Sequence, residues 1–170
     1  MKITVVADSH KEFHILKSVA GANTDADLFI HLGDGQYELI DVANLYPSMK
    51  FVFVKGNADH GNIKEERVIT VGGLKIFCAH GHTLGVHDNL ERLLDRAIYH
   101  ECSIALYAHT HLFKTDFING VYVMNPGSIS EPRGKNPPTY GVIEVDENMT
   151  INMNIVELAE PEPPKIVENE

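Results

Sequence analysis

Short apolar segments that each run into a polar cluster are the feature that most constrains this chain. Residues 2–7 (KITVVA) lead into Asp8-Ser9-His10, and residues 27–32 (DLFIHL) lead into Gly33-Asp34-Gly35. Alternating apolar and β-branched residues are typical of β-strands, and Gly and Asp favour the turns that end strands. We therefore predict strands that deliver polar side chains at their C-terminal ends.

The same pattern continues along the chain. Further strands are predicted over 51–54, 67–71, 74–79, 104–107, 117–118, 121–124, 140–145 and 151–158. Four of them end in the sequences Gly-Asn, His-Gly-His, His-Thr-His and Asn-Pro-Gly-Ser. Apolar residues at helical spacing predict helices over 13–20, closed by Gly21, over 39–46, stopped by Pro47, and over 86–97.

The order of these elements predicts the fold class. The β-α-β units come first and the hairpins follow, which favours an α/β sandwich of two packed mixed β-sheets flanked by helices. Function is then expected at the carboxyl ends of the strands. No repeat or linker divides the chain, so we predict one domain over 1–158 and a disordered, acidic, proline-rich tail over 159–170.

Composition excludes some partners. The 170 residues include 14 Lys and Arg against 24 Asp and Glu, a net charge of −10 that disfavours binding to long nucleic acid. No apolar stretch approaches the roughly 18 residues of a spanning helix, and Met1 is not followed by a signal-like segment. Cys78 and Cys102 are far apart, which fits a reducing compartment. We expect a cytoplasmic protein with no membrane partner.

Each polar cluster has an ordinary explanation when taken alone. A Gly-Asp pair is a common turn, and a His-x-His pair in a loop is often only solvated. Five such clusters in succession at strand ends are much harder to attribute to chance. The five are Asp8-x-His10, Gly33-Asp34, Gly56-Asn57, His80-Gly81-His82 and His109-Thr110-His111.

In this order the blocks DSH, GD, GN, HGH, HTH and NPGS resemble the calcineurin-like metallophosphoesterases, and among them the small phosphodiesterases of the YfcE/MJ0936 type. The resemblance spans residues 2–158. It implies a two-sheet sandwich with a dinuclear metal centre. The implied ligands are Asp8, His10 and His111 for one ion, Asn57, His80 and His109 for the other, and Asp34 as the bridge between them.

The chemistry of these residues agrees with that assignment. Two divalent ions about 3.5 to 4 Å apart repel each other, and a shared carboxylate such as that of Asp34 offsets the repulsion. Two carboxylates with four neutral imidazoles and one amide leave the site at about +2, which suits a phosphate ester. A nitrogen and oxygen shell without thiolate is compatible with Mn²⁺, Fe²⁺, Ni²⁺ or Zn²⁺, and the donor set does not select among them. Our expectation is Mn²⁺.

The resulting hypothesis is a metal-dependent phosphodiesterase that hydrolyses a small phosphate diester, such as a cyclic nucleotide, by attack of a metal-bridging hydroxide. Many relatives read Gly-Asn-His where this chain has Ala58, so the usual hydrogen donor is missing and diesters are favoured over monoesters. His82 is the candidate catalytic residue in its place, with His60 as an alternative. A phosphomonoesterase and a non-catalytic scaffold module of the same fold stay open, as does the oligomeric state, a dimer or larger assembly included.

Several other polar residues carry a structural and a functional interpretation. Asp59 either supports a ligand or pairs with Arg133, or is simply a solvated turn residue. The segment Asn-Pro-Gly-Ser at 125–128 resembles the closing loop of the family and could touch the site, although a Pro-Gly turn explains most of it. His31 is expected in the core, and the remaining histidines are expected on helix surfaces: His14, His87 and His100.

Overall fold

Strands and helices alternate in the order that the sequence pattern predicts. The computed structural model describes residues 1–159, so the predicted tail lies almost wholly outside the described residues. The elements are β1 (Lys2–Val6), α1 (Phe13–Ala22), β2 (Leu28–His31), α2 (Gln36–Leu45), β3 (Phe51–Phe53), β4 (Glu66–Val71), β5 (Leu74–Ala79), α3 (Glu91–Tyr99), β6 (Ile104–Leu106), β7 (Lys114–Ile118), β8 (Val121–Asn125), β9 (Thr139–Val145) and β10 (Ile151–Glu157). One turn of 3₁₀ helix covers His82–Leu84.

The strands form two five-stranded mixed sheets. The first has the order β10-β9-β1-β2-β3, and the second has the order β4-β5-β6-β8-β7. Strands β1, β2 and β3 are parallel to one another in the first sheet, as are β5, β6 and β8 in the second. Strands β4, β7, β9 and β10 pair antiparallel with their neighbours. The predicted α/β sandwich is therefore confirmed.

The main apolar core lies between the two sheets. Ile3 and Val5 of β1 are fully buried there against residues of the second sheet such as Ile76 and Leu106. Val6 faces the other way and packs in the cluster that α1 and α2 form on the outer face of the first sheet. Helix α3 covers the outer face of the second sheet. Because both faces of the central strands are covered, their ends are the parts left free for a site.

All three helices differ from the prediction at their boundaries. Helix α2 spans Gln36–Leu45 rather than 39–46. Helix α1 does not close at Gly21 but ends at Ala22, where the Asn23 side-chain amide donates to the Val19 carbonyl. Gly21 is needed for space, since a Cβ there would lie 2.8 Å from the hydroxyl oxygen of Tyr46.

Helix α3 begins at Glu91 rather than Val86. Val86 is buried in the same cluster as the apolar residues of α3, so its spacing reflects burial of the preceding loop rather than helix. Within residues 1–159, none of the helices has the length and apolar character needed to cross a membrane.

Candidate metal centre

The loops that follow the parallel strands of both sheets converge at one rim of the sandwich. They carry the predicted site residues after β1, β2, β3, β5 and β6. Backbone hydrogen bonds hold neighbouring loops together: the Asp8 N–H donates to the Gly33 carbonyl and the His10 N–H to the Asp34 carbonyl, both at 3.0 Å. The order of the strands thus brings residues from distant parts of the chain to one place.

One group of candidate ligands consists of Asp8, His10 and His111, whose ligand atoms lie within 4.8 Å of one another. Nε2 of His111 is 3.4 Å from Nε2 of His10 and 3.6 Å from Oδ1 of Asp8. The Nδ1–H of His111 donates to the Glu131 carbonyl at 2.5 Å. That bond places the proton of neutral His111 on Nδ1, so the Nε2 lone pair faces the other two residues.

A second group consists of Asp8, Asp34 and His80, again within 4.8 Å. The Nδ1–H of His80 donates to the Leu32 carbonyl at 2.8 Å, which leaves an unprotonated Nε2. This Nε2 lies 3.1 Å from Oδ1 of Asn57 and 3.6 Å from Oδ2 of Asp34. Three electron-rich atoms therefore approach one another with no proton to share, an arrangement that a cation satisfies.

His109 lies next to the second group without completing it. Its ring centroid is 5.0 Å from that of His80. The residue common to both groups is Asp8, whereas the resemblance implies Asp34 as the bridge. Oδ1 of Asp34 already accepts a 2.8 Å hydrogen bond from the Ala58 N–H, and Oδ2 faces His80.

The carboxylate of Asp8 tests whether these residues suit a metal ion. It is fully buried, and among residues 1–159 neither of its oxygens has a hydrogen-bond partner. Burial, and next the negative charge of Asp34, raise the pKa of Asp8 well above its usual range. Two buried carboxylates beside unprotonated imidazole nitrogens form a hard nitrogen and oxygen donor set, which fits divalent transition metals.

The backbone is strained at most of the candidate ligands. A positive φ is rare outside glycine and costs of order 1–2 kcal/mol per residue. Five of the seven candidates adopt it: Asp8 (φ 52°), His10 (43°), Asp34 (58°), His109 (71°) and His111 (57°). The surrounding hydrogen bonds must therefore hold the loops in shape.

Asp59 supplies much of that support at the Asp34 loop. Its buried carboxylate accepts the backbone N–H groups of Asp34 (2.7 Å), Gly35 (3.1 Å), Gln36 (2.9 Å) and Gly56 (2.8 Å). Burial acts to raise the pKa of this carboxyl, but the four backbone donors outweigh it and the pKa is lowered. Asp59 therefore supports the loop of the candidate ligand Asp34, and its buried carboxylate is occupied by backbone donors rather than solvated in a turn or paired with Arg133.

The segment 125–128 also supports the rim, beyond the turn that its sequence predicts. The Asn125 side-chain amide donates to the Ala108 carbonyl at 3.2 Å and to Oγ1 of Thr110 at 3.0 Å. The hydroxyls of Ser128 and Ser130 both donate to the Asp8 carbonyl at 2.8 Å. The sequence resemblance indicated that this segment could touch the site. It gave no signal for the particular hydrogen bonds beyond a small polar cluster that follows a buried strand.

Of the other histidines, two have rings next to those of candidate ligands, and the rest belong to neither ligand group. His82 lies half-buried beside the second group, its ring centroid 5.3 Å from that of His80, and within the described part of the chain its Nδ1 is buried without a partner. His87 is on a loop and packs its ring against His109 at 4.7 Å, so its predicted helix-surface position is wrong. His31 is buried as predicted and His14 is exposed on α1, but His100 follows α3 and stacks on Phe77.

Comparison with known proteins adds the family. The model of the calcineurin-like phosphoesterase superfamily domain matches residues 1–148. The chain belongs to this superfamily. The resemblance carried by the six sequence blocks is thereby confirmed.

Two relatives illustrate the similarity of this calcineurin-like phosphoesterase to named proteins. The probable metallophosphoesterase YsnB of Bacillus subtilis is 29% identical over 151 residues, which cover 87% of this chain and 86% of the relative. The phosphodiesterase YfcE of Escherichia coli is 34% identical over 80 residues, which cover 47% of this chain and 40% of the relative.

Solved structures show the same architecture. A predicted phosphoesterase from Streptococcus pneumoniae superimposes with a TM-score of 0.81 at 28% identity, covering 92% of this chain and 88% of the other. Vps29 of Entamoeba histolytica, solved in complex with zinc, has a TM-score of 0.71 at 22% identity and covers 92% of this chain and 99% of its own. The second likeness bears on the fold alone.

Proposed function

We propose that this calcineurin-like phosphoesterase is a metal-dependent phosphodiesterase that hydrolyses a small phosphate diester. The observation that carries the proposal is the buried carboxylate of Asp8, which lacks hydrogen-bond partners among residues 1–159 and belongs to both groups of candidate ligands. The relative named as a phosphodiesterase favours the same reaction class.

In this proposal seven side chains hold two divalent ions, with Mn²⁺ favoured. When bound, such ions supply Lewis-acid activation of water and neutralise charge on the phosphoryl oxygens. Asp34 serves as the bridge, with Oδ1 fixed by Ala58 and Oδ2 directed at His80. The remaining ligands are Asp8, His10, Asn57, His80, His109 and His111. The carbonyls of Leu32 and Glu131 keep His80 and His111 in the tautomer that binds through Nε2.

A cleft of about 470 Å³ begins at His10 and Asp34 and runs along the start of α2. Ala58 and Tyr37 line it, and the Tyr37 side chain is 62% exposed. A substituent of a phosphorus atom held at the rim would lie in this cleft, against the tyrosine ring. The methyl group of Ala58 offers no proton to a leaving oxygen, which favours diesters with good leaving groups over monoesters.

His82 is the proposed catalytic residue. It is half-buried beside His80 and His109, with ring centroids 5.3 and 6.0 Å away, and its Nδ1 has no partner within residues 1–159. We assign it a hydrogen bond to a phosphoryl oxygen or to the leaving group.

We also assign the protein to the cytoplasm, because Cys78 and Cys102 are both buried free thiols.

The proposal is tested by purifying the chain, removing metal with a chelator and restoring Mn²⁺. Metal content and hydrolysis are then measured on a matched pair, bis(4-nitrophenyl) phosphate and 4-nitrophenyl phosphate. We expect about two ions per chain and a kcat/KM that is higher for the diester. The reverse preference would indicate a phosphomonoesterase. A chain that binds metal but hydrolyses neither ester would indicate a non-catalytic module. His82→Gln should slow the diester reaction without changing metal content.

A further inference from the structure

A buried chain of hydrogen bonds lies directly beneath the candidate metal centre and involves none of the candidate ligand side chains. The Gly33 N–H donates to Nδ1 of His31 at 3.1 Å. Nε2 of His31 is 2.9 Å from Oγ of Ser9, and the Ser9 hydroxyl donates to Oε1 of Glu38 at 2.8 Å. Ser9 and His31 are fully buried, and Glu38 is 5% exposed.

The groups at the two ends of this hydrogen-bond series determine which atom donates in each hydrogen bond. Because Nδ1 of His31 accepts from a backbone N–H, the proton of the neutral ring is on Nε2 and is donated to Ser9. The Ser9 hydroxyl must then donate its hydrogen bond to Glu38, whose carboxylate can only accept one. Each of the three side chains thus has a single orientation in which its hydrogen bonds are made. Replacing any one of them interrupts the series of hydrogen bonds.

Glu38 is anchored at its own end. It lies in the first turn of α2, where a negative charge is stabilised by the helix dipole. The same Oε1 also accepts the Lys11 N–H at 2.6 Å. The carboxylate therefore reaches from α2 to the loop after β1 and holds that loop through both a side chain and the backbone.

Packing around the chain leaves no room for adjustment. A Cβ on Gly35 would collide with Oγ of Ser9 and with Nε2 of His31. The absence of a side chain at residue 35 is what allows the β2 loop to close over the Ser9–His31 contact.

The positions of these residues relate the chain to the metal centre. Ser9 lies between Asp8 and His10, and Gly33 precedes Asp34. All three of these candidate ligands have a positive φ, a conformation that a free loop would leave. The hydrogen-bond chain joins the two strained loops to each other and to α2.

We infer that Ser9, His31 and Glu38 are positioning residues that set the metal affinity of the centre by holding the β1 and β2 loops in their ligating conformation. This inference rests on the proposed function, since it requires that the rim bind metal. The competing interpretation is that the three residues only stabilise the fold. A supporting shell of this kind typically changes metal affinity 10- to 100-fold when it is disrupted.

The test compares Ser9→Ala, His31→Leu and Glu38→Ala with Glu38→Gln, which keeps an acceptor oxygen for Ser9 and Lys11. Mn²⁺ binding to metal-free protein is measured by isothermal titration calorimetry, and thermal unfolding is followed without metal. We expect about 10- to 100-fold weaker Mn²⁺ binding for the first three variants and a smaller loss for Glu38→Gln. Ser18→Ala, on exposed α1 surface, and Glu91→Ala, in the exposed first turn of α3, are the matched controls.

A double variant, Ser9→Ala with Glu38→Ala, sharpens the result. Both changes interrupt the same series of hydrogen bonds. The fold-loss of Mn²⁺ affinity should therefore be close to that of one single variant, rather than the product of the two single-variant losses. Wild-type Mn²⁺ affinity in the three disrupting variants, with or without a lower unfolding temperature, would overturn the inference and support a purely structural role. A wild-type chain that binds no Mn²⁺ would instead overturn the proposed function, and this inference with it.

Discussion

The backbone N–H of Ala58 donates a 2.8 Å hydrogen bond to Oδ1 of Asp34, so the residue that stands where the sequence resemblance leads us to expect histidine fixes the proposed bridging carboxylate. The bond uses only the backbone, and the side chain of Ala58 remains free to vary. Gly56 lies on the same side and is close enough that a Cβ would collide with the Asp34 carboxylate. The loop after β3 therefore positions Asp34 whether or not it also supplies a hydrogen donor to the substrate.

Replacing Asp34 by asparagine tests the bridge. Asp34→Asn keeps the shape but removes the negative charge that offsets repulsion between two ions, so both ions should be lost and kcat/KM should fall by roughly 100-fold or more. Metal content by elemental analysis and diester hydrolysis measure the two effects. Asp41→Asn, on the exposed face of α2, is the control. Two bound ions and a near-native rate would show that Asp34 is not the bridge, and Asp8→Asn would then be the variant expected to lose both.

Restoring the missing histidine tests the origin of substrate preference. Ala58→His places a proton donor in the cleft beside the leaving oxygen. Protonation of that oxygen limits the hydrolysis rate of monoesters more than that of activated diesters. We expect the ratio of monoester to diester kcat/KM to rise by about tenfold or more. The two 4-nitrophenyl esters report that ratio directly. An unchanged ratio would mean that residue 58 does not decide the substrate class.

The cleft beyond the rim predicts a role for Tyr37. Removing an aromatic contact of about 1 kcal/mol should raise KM about fivefold for diesters with aromatic substituents and leave kcat nearly unchanged. Tyr37→Ala is compared with Ile40→Ala, a residue of α2 that is 52% exposed and does not line the cleft. Methyl-substituted diesters should be insensitive to both changes. Equal effects of the two variants would contradict substrate binding along α2.

His31 predicts how the stability of the metal-free chain depends on pH. Burial lowers the pKa of His31 from 6.5 to about 3, so between these values the unfolded chain binds a proton that the folded chain does not. Stability should therefore fall as pH decreases below 6.5, by about 2 kcal/mol from this residue at pH 5. Urea unfolding at pH 7.5 and pH 5 with chelator present measures the loss. His31→Leu should be less sensitive to the same pH change, and an equal sensitivity would contradict this origin.

Protons and metal should compete for the histidine nitrogens. Burial is the main cause that lowers the pKa of His80, His109 and His111, so these ligands stay neutral to lower pH than exposed histidines. Activity should rise from acid toward neutral pH, and its acidic limb should move to lower pH as free Mn²⁺ is increased. Rate profiles at two Mn²⁺ concentrations measure the shift. An acid optimum, or rates unaffected by chelator and metal, would contradict the mechanism.

The positions of the candidate ligands follow from strand ends that the sequence makes visible. Strands such as β1 and β2 are short and mainly apolar, and a cluster of polar residues follows each of them directly. Parallel pairing then brings those residues to one rim, which is why the blocks at Asp8 and Asp34 could be placed together before the structure was known.

What the sequence did not reveal is how the rim is supported. The sequence offered support of a ligand as one of three interpretations of Asp59, but it did not indicate the four backbone donors that this carboxylate accepts. His87 packs on His109 from a loop that the apolar spacing at Val86 had suggested was helix. These roles depend on which backbone groups a fold leaves unpaired, and residue type and spacing carry no record of that. Gly21 shows the same limit, because the space beside it is occupied by Tyr46, the residue that follows α2.

The left-handed backbone at five candidate ligands lowers the stability of the folded, metal-free protein, while the side chains at these positions are the ones proposed to hold the metal ions. Glycine at any of these positions would release about 1–2 kcal/mol of conformational strain while removing the side chain of a candidate ligand. The metal-free chain is therefore expected to become more heat-resistant through some of the same changes that should abolish the proposed reaction. A laboratory evolution that selects only for heat resistance in the absence of metal would remove this centre early, and one that retains metal would preserve it.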